Sequence, residues 1–215
     1  MSDIQVLDEV KNKMIDPWKL YQSMDAGLLE HSESVATYAY ILYEIALKNR
    51  YYPDEIIYDK LFFIKHAAIY HDIGKAYLEP KLLNYKGILS QNQRDEIETH
   101  VNIGMDIFKH IFKHNNISEA SAHYLDCVRD CIFHHHENID GTGYPNRLRG
   151  HEISALGKIC AIADYYDALT SNRVYRKALP VQDVLQDMKL QMGYKFDPLL
   201  LSLFLENHKL FSCRQ

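Results

Sequence analysis

The residues best suited to chemistry are concentrated in one short stretch, His71-Asp72-Ile73-Gly74-Lys75. The stretch follows an apolar run, and helical spacing would place His71, Asp72 and Lys75 on the same stripe as the apolar residues. A histidine, a carboxylate and a lysine that face a core are costly unless they are paired or bind a metal ion. An adjacent His-Asp pair offers one neutral nitrogen and one carboxylate that can bridge two cations. The stretch therefore predicts a divalent-metal site or, more simply, a buried His-Asp hydrogen bond.

Further histidines lie on the apolar faces of other predicted helices. His31 lies near the start of the helix predicted over residues 30–49, and His100 lies on the inner face of a helix predicted to begin at Ser90 with a capping box. A lone histidine in either place is more often an ordinary hydrogen-bonded core residue. Several such side chains from successive helices are instead typical of metal sites built between facing helices.

The helix predicted over residues 118–137 ends in three consecutive histidines. Its periodicity favours His135 and His136 as the inward-facing pair, although the triple leaves the register ambiguous. A rival interpretation is a zinc site that uses Cys127 and Cys131, which are one turn apart, together with one of the histidines. That site lacks an evident fourth ligand, and small buried cysteines are the more common case.

Two aspartates lie one turn apart on the apolar face of the helix predicted over residues 151–170. Of Asp164 and Asp167, one could be a metal ligand and the other a substrate contact or a group that orients a ligand. Arg173 and Arg176 follow directly, and their guanidinium groups would suit a phosphate. A surface salt-bridge cluster is the simpler explanation of these arginines.

The loop over residues 138–145 follows the triple histidine and ends in Gly143-Tyr144-Pro145. Its two glycines allow backbone conformations that other residues rarely adopt, and Pro145 stiffens the exit. A plain turn between helices is the simplest explanation. Loops this rigid beside inward-facing histidines more often shape a functional site.

The composition is that of an ordinary globular protein. The 215 residues are 47% hydrophobic and 25% charged, which allows one large domain or two small ones. A formal charge of −5 without a basic run argues against a duplex nucleic-acid partner. No stretch approaches ~18 apolar residues and residues 1–15 have no continuous apolar core, so we expect neither a membrane span nor a secretory signal. We therefore expect a cytoplasmic protein with reduced thiols.

The sequence predicts an all-α fold, because no alternating strand pattern is present. We expect the short helices of residues 1–29 to belong to the same globule as the main domain, residues 30–209. Amphipathic segments predict helices over residues 3–14, 18–29, 30–49, 54–72, from 90 onward, 118–137, 151–170, 180–192 and 197–209.

Taken in chain order, the residues described above resemble the HD-GYP family, a branch of the HD-domain metal-dependent phosphohydrolases. The similarity runs from about His31 to Asp197 and includes Glu137 directly after the histidines, the Gly-Tyr-Pro loop and residues 164–171. A His-Asp pair alone would be a weak match, but the ordered set is specific. The resemblance implies an HD-domain-type helical bundle with a metal centre between its helices, in which residues 30–209 form the catalytic domain.

The resemblance also implies hydrolysis of cyclic di-GMP to linear pGpG or to GMP. Asp72 would bridge two metals, and Lys75 would contact the scissile phosphate. The implied metal ligands are His31, His71, Asp72, His100, His135, His136 and Asp164. The positions implied near the substrate are Asp167, Arg173, Arg176, Gly143, Tyr144 and Pro145.

The sequence departs from the family pattern in two places. Family members with a third metal have a glutamate one turn before the first histidine, where this chain has Gly27. We therefore expect two divalent transition-metal ions, with a third unlikely. The resemblance implies iron or manganese, with zinc or another transition metal as the alternative. The family's Arg-Pro-Tyr-Arg-like segment reads Arg173-Val174-Tyr175-Arg176 and lacks the proline.

We expect in-line attack by a metal-bridging hydroxide, with Lys75 stabilising charge on the phosphate.

Two other functions are open at this point. One is an HD-type phosphohydrolase that acts on another cyclic dinucleotide, a mononucleotide or an alarmone. The other is a non-catalytic sensor that binds a cyclic dinucleotide or a protein partner, against which the intact ligand set argues.

The 16 tyrosines could also serve an interface in a homo-oligomer or with a partner in second-messenger signalling.

Overall fold

The computed structural model describes residues 16–112, 119–173 and 176–211. Within these residues the protein consists of helices and loops, with isolated bridges but no β-strand, which confirms the predicted all-α class. The helix predicted over residues 3–14 lies outside the described residues. Across the described ranges, no helix combines the length and apolarity needed to cross a membrane.

Nine α-helices and three short 3-10 helices make up the described part of the chain. The α-helices are α1 (Pro17–Gln22), α2 (Ala26–Lys48), α3 (Tyr58–Ala68), α4 (Pro80–Leu83), α5 (Gln91–Phe112), α6 (Glu119–His134), α7 (Ala155–Thr170), α8 (Val181–Leu190) and α9 (Pro198–Glu206). The 3-10 helices are Ile73–Tyr77, Gly150–Glu152 and His208–Phe211.

Four helices form the centre of the fold. Helix α2 packs against α3 and α7, and α6 packs against the same two helices on the other side. Each of the four contributes fully buried aliphatic side chains, among them Val35, Ile64, Ile132 and Ile159. Burying such side chains is the main favourable term in folding. Helix α5 packs against α6 and against the 3-10 helix Ile73–Tyr77, so that helix lies beside the four-helix centre.

Local capping explains where two of the predicted helices begin. The carboxylate of Asp25 accepts the Gly27 N–H at 2.8 Å, and α2 therefore starts before residue 30, where the apolar stripe begins. The predicted capping box of α5 is confirmed. The Ser90 N–H donates to Gln93 Oε1 at 2.9 Å, and the Gln93 N–H donates to Ser90 Oγ at 3.3 Å.

The helix predicted over residues 54–72 is shorter in the structure, because α3 ends at Ala68 and a turn leads into the 3-10 helix. The reason for the early end is the close approach of this turn to α5. A Cβ atom at Gly74 would lie 1.9 Å from the backbone oxygen of His100, so no other residue fits there without moving the backbone. His71 and Asp72 therefore lie just beyond α3 rather than on its last turn.

Candidate metal centre

Ligand atoms from four parts of the chain meet in two groups that share one residue. The first group is formed by His31 on α2 and by His71 and Asp72 after α3. In each group the ligand atoms all lie within 4.8 Å of one another, a spacing that a metal ion can bridge. The second group consists of Asp72, His100, His135 and His136.

The two carboxylate oxygens of Asp72 face different groups. Asp72 Oδ2 lies 3.4 Å from His71 Nε2 and 3.7 Å from His31 Nε2. Asp72 Oδ1 lies 3.1 Å from His100 Nε2 and 3.7 Å from His135 Nε2. This carboxylate is therefore placed to bridge two cations, one in each group.

Backbone carbonyls fix which nitrogen of three histidines faces the centre. The Nδ1 atoms of His71, His100 and His135 lie 2.9, 2.6 and 2.8 Å from carbonyl oxygens three or four residues earlier. A carbonyl only accepts, so each Nδ1 carries the hydrogen and donates it. The Nε2 lone pair of each ring then points into the centre, which is the usual arrangement of a histidine that binds metal.

Four buried nitrogen and oxygen atoms at the centre have no hydrogen-bond partner. They are His71 Nε2, Asp72 Oδ1, His100 Nε2 and His135 Nε2. Nitrogen lone pairs and carboxylate oxygens that face one another without a proton between them repel, and leaving buried polar atoms unpaired is costly. A divalent cation removes both penalties. The donor set therefore fits a metal centre.

Protonation favours the same interpretation. Burial lowers the pKa of His71 and of His100, which keeps the rings in the neutral form that a metal binds. Burial alone would raise the pKa of Asp72, but the nearby Lys75 ammonium and His71 hold it well below its usual range. His71 and His100 therefore favour the neutral form beside a charged Asp72 carboxylate, whereas the carboxylates of Asp164 and Asp167 outweigh burial and raise the pKa of His31.

Helix α7 supplies a further carboxylate to the first group. Asp164 Oδ1 lies 3.0 Å from His31 Nε2 and 4.0 Å from His71 Nε2. Asp167, one turn later, is buried and lies on the other side of the same imidazole, with Oδ2 at 2.7 Å from His31 Nδ1. Asp164 is thus placed where it could bind a metal ion together with His31, whereas Asp167 is placed to orient the His31 ring, as in a carboxylate–histidine–metal arrangement.

We expect Asp167→Ala to weaken metal binding by about 10–100-fold, because His31 would lose the carboxylate that orients its ring. Asp167→Asn should weaken binding less, since its amide oxygen can still accept from Nδ1. Metal affinity is measured by competition with a calibrated chelator, and thermal unfolding of the metal-free protein checks that the fold persists. Asp183→Asn, at an exposed position on α8, is the matched control. Unchanged metal affinity in Asp167→Ala would rule out the orienting role.

Three of the seven proposed ligands line a cleft with a volume of about 940 Å³. His31, His136 and Asp164 line it together with the cations Lys75 and Arg173. This volume lies at the upper end of the range of small-molecule sites, roughly 300–1,000 Å³. The cleft can therefore hold a ligand larger than a single phosphate.

The loop that contains Gly143-Tyr144-Pro145 packs behind His136. The Tyr144 ring stacks on the His136 imidazole with 4.6 Å between centroids, and the Tyr144 N–H donates to the His136 carbonyl at 3.1 Å. A Cβ atom at Gly143 would lie 2.3 Å from the backbone nitrogen of Asn138, so the tight path of the loop requires glycine. The loop therefore fixes the position of one proposed ligand.

Glu137 anchors this loop, a role that sequence reasoning missed. Its buried carboxylate accepts the Asn146 N–H at 2.7 Å and the Leu148 N–H at 2.9 Å. The available signal was an acidic residue next to inward-facing histidines, since such a residue must find hydrogen-bond donors. Its partners lie nine and eleven residues later and could not be read from periodicity.

All seven predicted metal ligands lie close together, but only some of the predicted substrate contacts line the cleft. Lys75, Asp167 and Arg173 line the cleft. The Arg176 guanidinium instead donates to the Ala168 carbonyl, and Arg176 is not among the described residues that line the cleft. Gly143, Tyr144 and Pro145 are also not among the described residues that line the cleft. A substrate contact by Arg176 or by any of these three residues therefore stays a prediction.

The rival zinc site at the cysteines does not form. Cys127 and Cys131 are buried, and neither belongs to a potential metal-binding group in the described ranges. The Cys131 carbonyl serves the other centre instead, by accepting from His135 Nδ1.

The comparisons with known proteins agree with this geometry. The HD-domain family model matches residues 54–200. A 3'3'-cGAMP-specific phosphodiesterase 2 of Vibrio cholerae serotype O1 is 32% identical over 144 residues, which is 67% of this chain and 26% of that protein. A cyclic di-GMP phosphodiesterase of Thermotoga maritima is 31% identical over 146 residues, 68% of this chain and 37% of that protein. The chain thus spans only about a quarter to two fifths of the length of these relatives.

A solved structure shows the same fold. It is an HDG"Y"P protein from Bdellovibrio bacteriovorus, with a TM-score of 0.60 and 18% sequence identity over 95% of this chain and 61% of that one. The family model covers more than half of the chain, and the residues that it spans include most of the proposed ligands. The chain therefore belongs to the HD-domain family and has the sequence signature of its HD-GYP branch.

Proposed function

We propose that the protein is a metal-dependent phosphodiesterase that hydrolyses a cyclic dinucleotide, cyclic di-GMP in particular, to linear pGpG or to GMP. The observation that carries this proposal is the division of the Asp72 carboxylate between two groups of buried, unpaired histidine nitrogens. The names of the relatives, phosphodiesterases of cyclic di-GMP and of 3'3'-cGAMP, support the substrate class.

We infer two divalent transition-metal ions, iron or manganese before zinc. Imidazole nitrogens and carboxylate oxygens in one donor set suit these ions better than they suit calcium or magnesium. His31, His71, Asp72 and Asp164 would hold one ion, and Asp72, His100, His135 and His136 the other. When bound, such ions supply a water of lowered pKa and neutralise phosphoryl oxygens. Gly27 lines the cleft without a side chain that could bind a third ion.

The chain's own cations complete the site. The Lys75 ammonium lies 2.5 Å from Asp72 Oδ2 and lines the cleft, so it would contact the scissile phosphate and stabilise the charge that develops there. Arg173 lines the same cleft, and its Nη2 atom lies 2.8 Å from His31 Nδ1 and 3.4 Å from Asp167 Oδ2. Its guanidinium has further donors that can bind a phosphate oxygen.

The remaining predicted residues would act through the ligands. Asp167 orients His31, and the Gly143-Tyr144-Pro145 segment orients His136. A cytoplasmic location and a homo-oligomeric state stay predictions from the sequence.

The function is tested with protein loaded anaerobically with Fe²⁺ or Mn²⁺ and incubated with cyclic di-GMP or 3'3'-cGAMP, the products being resolved by chromatography. The mononucleotide 3',5'-cyclic GMP serves as the comparison substrate. We expect a linear dinucleotide or mononucleotides from at least one of the two dinucleotides. Turnover of the mononucleotide alone would favour another HD-type phosphohydrolase. Tight dinucleotide binding without turnover by metal-loaded protein would favour a sensor.

A further inference from the structure

One aromatic side chain in the lining of the cleft has no part in the proposed metal centre. Tyr85 follows α4 in the loop that leads to α5, and its ring is 46% exposed. Of the described residues that line the cleft, Tyr85 alone has a phenylalanine, tyrosine or tryptophan ring. The roles proposed for the metal ligands, Lys75 and Arg173 do not involve this ring.

The Tyr85 ring lies against Gly87, which has no side chain. A Cβ atom at Gly87 would lie 2.7 Å from Tyr85 Cε1 and 2.8 Å from its Cζ and Oη atoms. The ring therefore lies directly against Gly87, where any side chain would require the exposed Tyr85 ring to move. The Tyr85 N–H also donates to the Leu82 carbonyl at 3.2 Å, which ties the loop to α4.

The surroundings of the ring suit a nucleotide. Leu83 and Leu89 add apolar surface to the same cleft, and Lys86, the next residue after Tyr85, adds a positive charge to its lining. An aromatic ring with apolar and cationic neighbours is the usual means of binding nucleotides, since the base stacks on the ring and the phosphates meet the cations.

We infer that Tyr85 is the stacking platform for one purine base of the substrate. The inference rests on the proposed function, because Tyr85 lines the same cleft as three of the proposed ligands and as Lys75, the residue proposed to contact the scissile phosphate. Stacking uses the face of the ring, which every purine can occupy. Tyr85 would therefore favour purine dinucleotides as a class without distinguishing guanine from adenine.

The test compares the affinity of metal-loaded wild type, Tyr85→Ala and Tyr85→Phe for a hydrolysis-resistant phosphorothioate analogue of cyclic di-GMP, measured by calorimetry. We expect Tyr85→Ala to raise Kd by about 5–100-fold, the range for loss of one stacked base. Tyr85→Phe keeps the ring and should stay within about 2-fold of wild type. Tyr58→Ala removes a ring that is 77% exposed on α3 outside the cleft, and it serves as the matched control. Metal content should be equal in all four proteins.

A second variant tests the position of the ring rather than its presence. Gly87→Ala should displace Tyr85 and weaken binding in the wild-type background, but should add little to Tyr85→Ala. Equal affinity of wild type and Tyr85→Ala would overturn the stacking role and leave the proposed function intact. If metal-loaded wild type bound no cyclic dinucleotide at all, the proposed function would fail and the stacking role with it.

Discussion

Asp72→Ala is expected to lose metal and activity together, with turnover of cyclic dinucleotide reduced by more than about 1,000-fold. Both proposed metal positions depend on this carboxylate, since Oδ2 faces His31 and His71 while Oδ1 faces His100. No other described carboxylate belongs to both groups, so no neighbour can replace it. The fall is measured as initial rates with protein whose metal content has been determined by mass spectrometry.

The stability of the same variant gives an independent reading of metal binding. Metal that binds only the folded protein raises the midpoint of thermal unfolding, and this rise should vanish in Asp72→Ala. Asp72→Asn keeps the shape of the side chain and removes its charge, so it should lose most of the rise as well. Asp54→Ala, at an exposed loop position, should behave as wild type. An Asp72→Ala protein that retained both metals and normal turnover would overturn the proposed mechanism.

The sequence predicted which side chains would come together, because several of them interrupt an apolar stripe. His31 and His100 face inward on helices whose periodicity is unambiguous, and burial leaves each at 4% or less exposed. A polar side chain in that position needs a partner, whatever the fold. How the ligands divide into two groups could not be predicted, because it depends on where α2, α5 and the turns after α3 and α6 meet.

The end of α3 shows where periodicity misleads. Residues 69–72 continue the apolar pattern, so the sequence extends the helix through them. The structure ends it at Ala68, because the chain must turn to bring Gly74 against the backbone of His100. That contact joins two elements far apart in the sequence, and tertiary packing here overrides the local preference.

The sequence also left open the roles of Asp167 and Arg176, because tertiary contacts decide them. Asp167 was compatible with a ligand, a substrate contact or an orienting group, and its 2.7 Å contact to His31 spans 136 residues of sequence. Arg176 looked like a phosphate contact beside Arg173, yet its guanidinium turns to a carbonyl on α7. Spacing along the chain places such side chains near a site but does not say which way they point.

Lys75→Met is expected to reduce kcat by about 100–1,000-fold while metal content stays close to that of wild type. The ammonium lines the cleft 2.5 Å from Asp72 Oδ2, and the side chain is 18% exposed, so a phosphate oxygen can reach it. Methionine keeps most of the aliphatic volume and removes the charge. The expected loss is in the chemical step, because the charge matters most when the phosphate gains negative charge.

The same variant separates two roles of the lysine. Lys75 holds down the pKa of Asp72, so its loss also raises that pKa and weakens metal binding as the pH falls. If Lys75 acts only through Asp72, activity lost at neutral pH should return when metal is supplied in excess. If it contacts the phosphate, saturating metal should restore metal content but not kcat. Lys81→Met, at an exposed position on α4, controls for the loss of a charge nearby. Full recovery with excess metal would therefore remove Lys75 from the phosphate site and leave it as a support for the bridging carboxylate.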